Sequence, residues 1–268
     1  MLALSFPLMR QALSNKVAIV TGASQGIGRA IALKLAEEGA EVMLAARSAE
    51  LLKEVQAEIE SKGGKAAWLS LDLRTPNAPA LLVEKTIEVL RGIDIVVNNA
   101  GATKRGDFLT LSEEDWMDGF ALKLFGAVRL LRAAWPILKQ RKGSVVNIAG
   151  VGGRTPGVQF TIGGSVNAAM LSFTKAMADV GVRDGVQVNA INPGAVRTAR
   201  LVSRLQTFSK EKGISAAAAE ALMVADSGIT KIGEPEDVAN LVAFMVSPQN
   251  RYLHGALIDL DGATTKTM

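Results

Sequence analysis

From Lys16 onward, short runs of β-branched and other apolar residues alternate with longer stretches whose apolar residues recur at three- and four-residue spacing. The runs Val17 to Thr21, Glu41 to Ala46, Ala66 to Ser70, Ile93 to Asn98, Ser144 to Ala149, Val186 to Asn192 and Ala256 to Leu260 are mostly continuous in hydrophobic residues. Strands buried on both faces of a parallel sheet have that character. Helical spacing fills Ile27 to Glu38, Ala49 to Ser61, Pro79 to Leu90, Glu113 to Gln140, Gly164 to Val182 and Glu236 to Val246. Strand alternating with helix is the mark of βαβ units, so the pattern predicts a doubly wound α/β fold with a seven-stranded parallel sheet and helices on both faces.

Local signals refine the boundaries. Ser112 followed by Glu113, Glu114 and Asp115 is a capping-box-like start, with acidic groups where free N–H groups and the helix dipole favour them. Pro136 falls late in the same segment, where it is expected to kink or end the helix. The stretch Arg197 to Ile232 reads as mixed helix and loop beyond Pro193-Gly194, and is expected to form a lid over a substrate. Residues 1–15 read as an N-terminal extension and residues 16–268 as one domain, with neither an internal repeat nor a linker.

Composition narrows the function classes. Hydrophobic residues make up 49% and charged residues 21% of the 268, the range of a globular protein. The formal charge of +4 is scattered, without a basic run or interleaved aromatics, so nucleic-acid binding is not indicated. There are no cysteines, which excludes disulfides, thiolate metal sites and a cysteine nucleophile, and no metal site is expected. Met1 to Leu13 is apolar but lacks a basic leader and is broken by Pro7 and Arg10, and no later stretch has the ~20 uncharged apolar residues of a membrane span. A soluble cytoplasmic protein without membrane partners is expected.

The candidate chemistry begins at Thr21-Gly22-Ala23-Ser24-Gln25-Gly26-Ile27-Gly28, between the first strand and the first helix. A glycine turn there lets the backbone approach a pyrophosphate at a helix N-terminus, and makes Gly22, Ser24, Gln25, Gly26, Ile27 and Gly28 the candidate phosphate contacts of a nicotinamide dinucleotide. The second strand ends Ala46-Arg47. A carboxylate at that place accepts from the ribose 2′-OH of NAD, whereas a guanidinium offers forked donors to a 2′-phosphate. Ala46 supplies no acid and Arg47 supplies a cation, so NADP(H) is preferred over NAD(H).

Together, the TGxxxGIG turn, Asp72-Leu73 after the third strand, Asn98-Asn99-Ala100-Gly101 after the fourth, and Asn192-Pro193-Gly194 through Val196 to Thr198 resemble the short-chain dehydrogenase/reductase family, from about Lys16 to Gly262. The resemblance implies a Rossmann-type fold in which Asp72, with Leu73 beside it, meets the adenine. It implies that Asn99, Ala100 and Gly101 line the cofactor cleft, and that Pro193, Gly194, Val196 and Thr198 meet the nicotinamide carboxamide. It also implies a small-molecule substrate and a homodimer or homotetramer built through the two central helices.

The family's reductive chemistry passes a proton through a Tyr, with a Lys lowering its pKa, a Ser fixing the carbonyl and an Asn supporting a water. Those positions carry Gly163, Asn167, Gly150 and Lys123 in this chain, so all four differ. The one tyrosine, Tyr252, lies near the C-terminus and, like the lone His254, is expected to be structural, with Tyr252 packed beside the last strand. Phe160 is the nearest ring, while Thr161 and Ser165 supply at best orienting hydroxyls. Lys123 and Asn167 look like an exchanged pair. A desolvated Lys123 serves as acid or oxyanion stabiliser, the alternative being a helix-surface lysine beside a dead pocket.

The leading expectation is therefore an NADP(H)-dependent oxidoreductase acting on a carbonyl or alcohol through an atypical site. The alternative is a catalytically inactive dinucleotide-binding module with a regulatory or partner-binding role. A lyase or isomerase borrowing the fold is a third class.

Overall fold

The computed structural model describes residues 12–266. Strands β1 (Val17–Thr21), β2 (Glu41–Ala46), β3 (Lys65–Ser70), β4 (Ile95–Asn98), β5 (Ser144–Ile148), β6 (Gln187–Pro193) and β7 (Leu257–Leu260) form one sheet in the order β3-β2-β1-β4-β5-β6-β7. Every neighbouring pair is parallel. This is the doubly wound Rossmann-type architecture that the alternating pattern predicts, with a crevice where the strand order reverses between β1 and β4.

Residue alternation along the strands feeds two cores. Ala18, Val20, Val42 and Leu44 point to one face, beneath α1 (Gly26–Glu37), α2 (Ala49–Ser61) and α9 (Pro235–Val246). Val17, Ile19, Met43 and Val96 point to the other, beneath α3 (Ala78–Leu90), α5 (Gly126–Arg141) and α6 (Thr161–Asp184). Buried on both sides, each large aliphatic side chain contributes about 1.5–3 kcal/mol of transfer free energy, and this holds the strand ends that carry the site in fixed register.

Several local expectations need correction. The long central segment is not one regular helix: α4 (Glu113–Phe120) passes through a π-turn, Ala121–Phe125, before α5, and the Gly126 N–H reaches back to the Ala121 carbonyl. Such widened turns are rare and concentrate at functional sites. Helix α5 also runs through Pro136 to Arg141 without ending. Pro136 lies on the solvent face with exposed Arg132 one turn before it, so the carbonyl that loses its helical partner faces water.

The stretch 197–232 is more regular than its sequence suggests, comprising α7 (Ala199–Lys212) and α8 (Ala216–Ser227). Thr198 and Ser215 cap their N-termini, and Gly213 and Gly228, at φ of 63° and 62°, close them. These signals were present in the sequence, but the alanine tract of α8 carries almost no amphipathic pattern. Leu201, Leu205, Ala219 and Ile232 form a small core of their own there.

Residues 1–11 of the expected N-terminal extension lie outside the described residues. Leu13 is buried, and its N–H donates to the Glu38 carbonyl at 2.8 Å. Among the described residues no helix is long and apolar enough to cross a membrane.

Candidate active site

The turn after β1 is shaped by what it excludes. Gly22 and Gly26 sit at φ of 67° and 55°, the left-handed region that favours glycine. At Gly28 an added Cβ would lie 2.2 Å from the Gly22 carbonyl oxygen and 2.4 Å from the Asn99 Nδ2. That closeness fits the first turn of α1 tightly beneath the loop. Asn99 donates from Nδ2 to the Thr21 carbonyl at 2.9 Å, while the Thr21 hydroxyl accepts from the N–H groups of Asn99 and Ala100, each at 3.0 Å. Thr21 and Asn99 thus pin the glycine turn to the end of β4. The first turn of α1 contains no acidic side chain, so its positive end is left for an anion.

A cleft of about 990 Å³ opens over the carboxyl ends of the strands. One end is lined by the turn residues Gly22, Ser24, Gln25, Gly26, Ile27 and Gly28, by Arg47 after β2, and by Asp72 and Leu73 after β3. Asn99, Ala100 and Gly101 form its floor, and Pro193, Gly194, Val196 and Thr198 follow from β6. The Thr198 methyl would meet a Cβ on Gly26 at 3.2 Å, joining the two halves of the wall. Among the described residues Arg47 forms no ion pair, whereas the Asp72 carboxylate engages Arg74 at 3.3 Å. An elongated cleft with an amide-lined glycine turn at one end and an unpaired guanidinium beyond it fits a dinucleotide.

The inner end of the cleft holds Lys123, Gly150 and Asn167. Lys123 sits within the π-turn, its stem against Gly101, and its ammonium donates to the Ala149 carbonyl and to the Asn167 Oδ1 at 2.6 Å. Lys123 and Asn167 are therefore in direct contact. The side chain is half-buried, and desolvation, followed by repulsion from Arg200, pushes the ammonium down to about 7. Two of its three N–H groups are engaged by protein oxygens, which leaves one for another acceptor.

The two glycines beside this pair are refilled by neighbours. Gly150 adopts φ 131° and ψ 148°, a conformation that is nearly glycine-only, and an added Cβ would lie 2.9 Å from the Asn167 Nδ2. Gly163, in α6, does not reach the cleft surface. A Cβ there would lie 2.0 Å from the Phe160 ring, which itself lines the cleft. Asn167 and Phe160 thus fill the space that side chains at 150 and 163 would claim. A buried relay, Asn98 to Asn147 at 2.8 Å and Asn147 to Thr174 at 2.9 Å, ties β4, β5 and α6 together beneath them. Asn192 and Asp259, 2.7 Å apart, brace the loop after β5 from the other side.

Tyr252 is fully exposed and does not line the cleft, which corrects the expectation that it packs beside the last strand. His254 is structural: Nε2 donates to the Ala178 carbonyl at 2.7 Å and Nδ1 accepts from the Val188 N–H at 3.3 Å. The buried Thr161 hydroxyl finds no partner among the described residues. Sequence reasoning missed Arg105, Arg200 and Arg204, which also line the cleft. Arginines in a loop and on a polar helix carry no motif, and only the tertiary structure brings them together.

The family described as short chain dehydrogenase matches residues 16–207. A 3-oxoacyl-[acyl-carrier-protein] reductase of Aquifex aeolicus is 34% identical over 255 residues, covering 93% of this chain and 97% of that protein. Among solved structures, L-sorbose reductase from Gluconobacter frateurii, complexed with NADPH and L-sorbose, superposes with a TM-score of 0.93 at 30% identity, covering 97% of this chain and all of that one. An NADPH-dependent reductase involved in bacilysin biosynthesis gives a TM-score of 0.89 at 27% identity over 95% of this chain and 100% of its own.

Proposed function

The chain belongs to the short-chain dehydrogenase family, and from that premise we propose that it is an NADP(H)-dependent oxidoreductase acting on a carbonyl or alcohol, with Lys123, at the position where the family carries an asparagine, taking the proton-transfer role usually held by a tyrosine. The observation that carries the reading is continuity: the glycine turn, the unpaired Arg47 and the Lys123 ammonium line one cleft. Solved neighbours that are NADPH-complexed or NADPH-dependent support the same cofactor. When bound, that cofactor supplies or accepts the hydride.

The chain's own residues hold and move the proton. Asn167 and the Ala149 carbonyl fix Lys123, so that its remaining N–H is free to donate to the substrate oxygen. In reduction the ammonium stabilises developing negative charge on that oxygen and gives up a proton to it. In oxidation the neutral amine receives the proton. Asn167 is a positioning residue, Gly150 leaves room for its amide, and Phe160 closes the wall above Gly163. Helices α7 and α8 serve as the lid, and a homodimer or homotetramer through the central helices belongs to the same reading, checked by sedimentation velocity.

The test is turnover. Wild type is assayed with NADPH and NADH against a panel of ketones and alcohols, with Lys123→Met as control. The expected result is NADPH-linked exchange lost in the variant while NADPH binding persists. Binding without exchange by wild type on any substrate would return the protein to the class of inactive dinucleotide-binding modules.

A further inference from the structure

Arg197, just before α7, and Arg200 and Arg204, within its first two turns, follow one another along the chain, yet their surroundings differ sharply. Arg197 is fully partnered, donating to Glu220 at 2.6 and 2.8 Å and to Glu234 at 3.0 Å. Arg200 has only the Gly101 carbonyl, 3.2 Å from its Nη2, and Arg204 has no hydrogen-bond or ion-pair partner among the described residues. Both line the cleft. Arg105 joins them from the loop after β4, its guanidinium 4.4 Å from the centre of the Phe160 ring and likewise without a carboxylate among the described residues.

This grouping is costly without a ligand. Arg200 and Arg204 are four residues apart on one helix, a spacing at which like charges repel, and α7 has no acidic residue in its first turn to offset them. Arg105 and Arg204 are exposed at the cleft mouth yet partly desolvated, which lowers both guanidinium pKa values, and Arg204 lowers that of Arg105 further. Lys123 adds a fourth cation at the inner end. The only carboxylate lining the cleft, among the described residues, is Asp72 after β3, already engaged by Arg74.

We propose that the substrate is an anion, a carbonyl or alcohol compound bearing a carboxylate or phosphate, whose oxyanion is held by the forked donors of Arg105 and Arg204 while its reacting oxygen faces Lys123. Planar guanidinium groups suit such oxyanions because they present paired N–H donors in fixed geometry. The ring of Phe160 orients Arg105 by lying under its guanidinium face. The inference rests on the reading of the inner cleft as the reaction end, and it assigns the substrate class that the reading leaves open.

The experiment compares matched probes differing only in charge: levulinate and phenylpyruvate, each against its methyl ester, and dihydroxyacetone phosphate against dihydroxyacetone. Binding is measured by calorimetry on the wild type, Arg105→Gln, Arg204→Gln and the double variant, each loaded with oxidised NADP+, which cannot reduce a carbonyl probe, with NADPH affinity titrated separately on each. In at least one pair the anion is expected to bind wild type about tenfold or more tightly than its neutral partner, a preference of ~1.4 kcal/mol. That preference should fall toward unity in the double variant, while NADPH affinity stays within about twofold. The carboxylate and phosphate pairs tell the two anion sources apart.

Equal binding of the charged and neutral members in all pairs would overturn the inference, as would a preference that survives loss of both arginines. A parallel fall in NADPH affinity would overturn it in favour of arginines that grip the cofactor's phosphates. If wild type takes no NADPH, the oxidoreductase reading falls separately, and the charge preference, measured on the free protein, still decides the anion inference by the same criterion.

Discussion

The two ends of the cleft are built on different principles. At the glycine turn, backbone does the work: Gly22, Gly26 and Gly28 are held by conformation and by atoms 2.2 to 3.2 Å from where any side chain would stand. At the inner end, side chains do the work. Lys123 and Asn167 touch across two helices, and Phe160 and the Asn167 amide occupy the space over two glycines. A backbone cradle tolerates little variation because its ligand contacts are the peptide groups themselves. A side-chain constellation can be rewritten, provided each replacement is packed and hydrogen-bonded.

The largest effect should come from the inner end. Lys123→Met is expected to lower turnover by about 10²–10⁴, the range for removing a general acid or base, with NADPH affinity nearly unchanged. Because the ammonium is held down to about 7, the reductive rate of wild type should fall as pH rises through that region and the oxidative rate should rise; a pH-independent profile would break the assignment. The stability sign follows from the same depression. An unfolded lysine keeps its proton to ~10.4, so between about pH 7 and pH 10 the unfolded chain binds more protons and folded stability rises with pH. Lys123→Met should therefore raise the unfolding midpoint below pH 7, a gain that fades above pH ~10, readable by calorimetry.

Next in size is the cradle. Gly28→Ala places a methyl against the Gly22 carbonyl and the Asn99 amide, and should weaken NADPH binding by about a hundredfold, with ~1–3 kcal/mol of overpacking visible in urea unfolding. Unchanged binding would mean that the turn does not grip the cofactor through its backbone. Arg47→Ala should cost about ten- to a hundredfold in NADPH affinity and leave NADH affinity unaltered, because one charge-assisted contact is worth ~1.5–3 kcal/mol. Equal losses for both cofactors would remove Arg47 from 2′-phosphate recognition.

The smallest effect concerns the refilled wall. Gly163→Ala alone should destabilise by about 1 kcal/mol through its clash with Phe160, and the penalty should shrink in a Phe160→Ala background, which a double-mutant cycle reads directly. Additive changes would mean that the ring does not depend on the glycine.

Much of the fold was legible because both periodicities are strong and local. Continuous apolar strands such as Val17–Thr21 and Ser144–Ile148 must be buried on both sides, and the helices between them carry matching apolar faces. The boundaries moved where tertiary context overrode local signals: Pro136 stays within α5, and α6 begins at Thr161 rather than Gly164. The π-turn at Ala121–Phe125 left no readable trace, since Ala-Leu-Lys-Leu-Phe is an ordinary helical string. Tyr252 was misplaced because nothing local distinguishes an exposed ring from one packed against a strand.

By itself the sequence determined the doubly wound order of elements, the glycine turn at its switch point, and that the chain holds a single tyrosine, Tyr252, near its C-terminus. These depend on periodicity, on residues without side chains and on the count of one residue type, all of which are visible along a line. The tertiary structure alone decided where the Lys123 ammonium points, that Asn167 receives it, and that Arg105, Arg200 and Arg204 share one cleft with it. Those facts join residues dozens of positions apart, and a side chain's partner and its desolvation are set by packing in three dimensions, which no local pattern encodes.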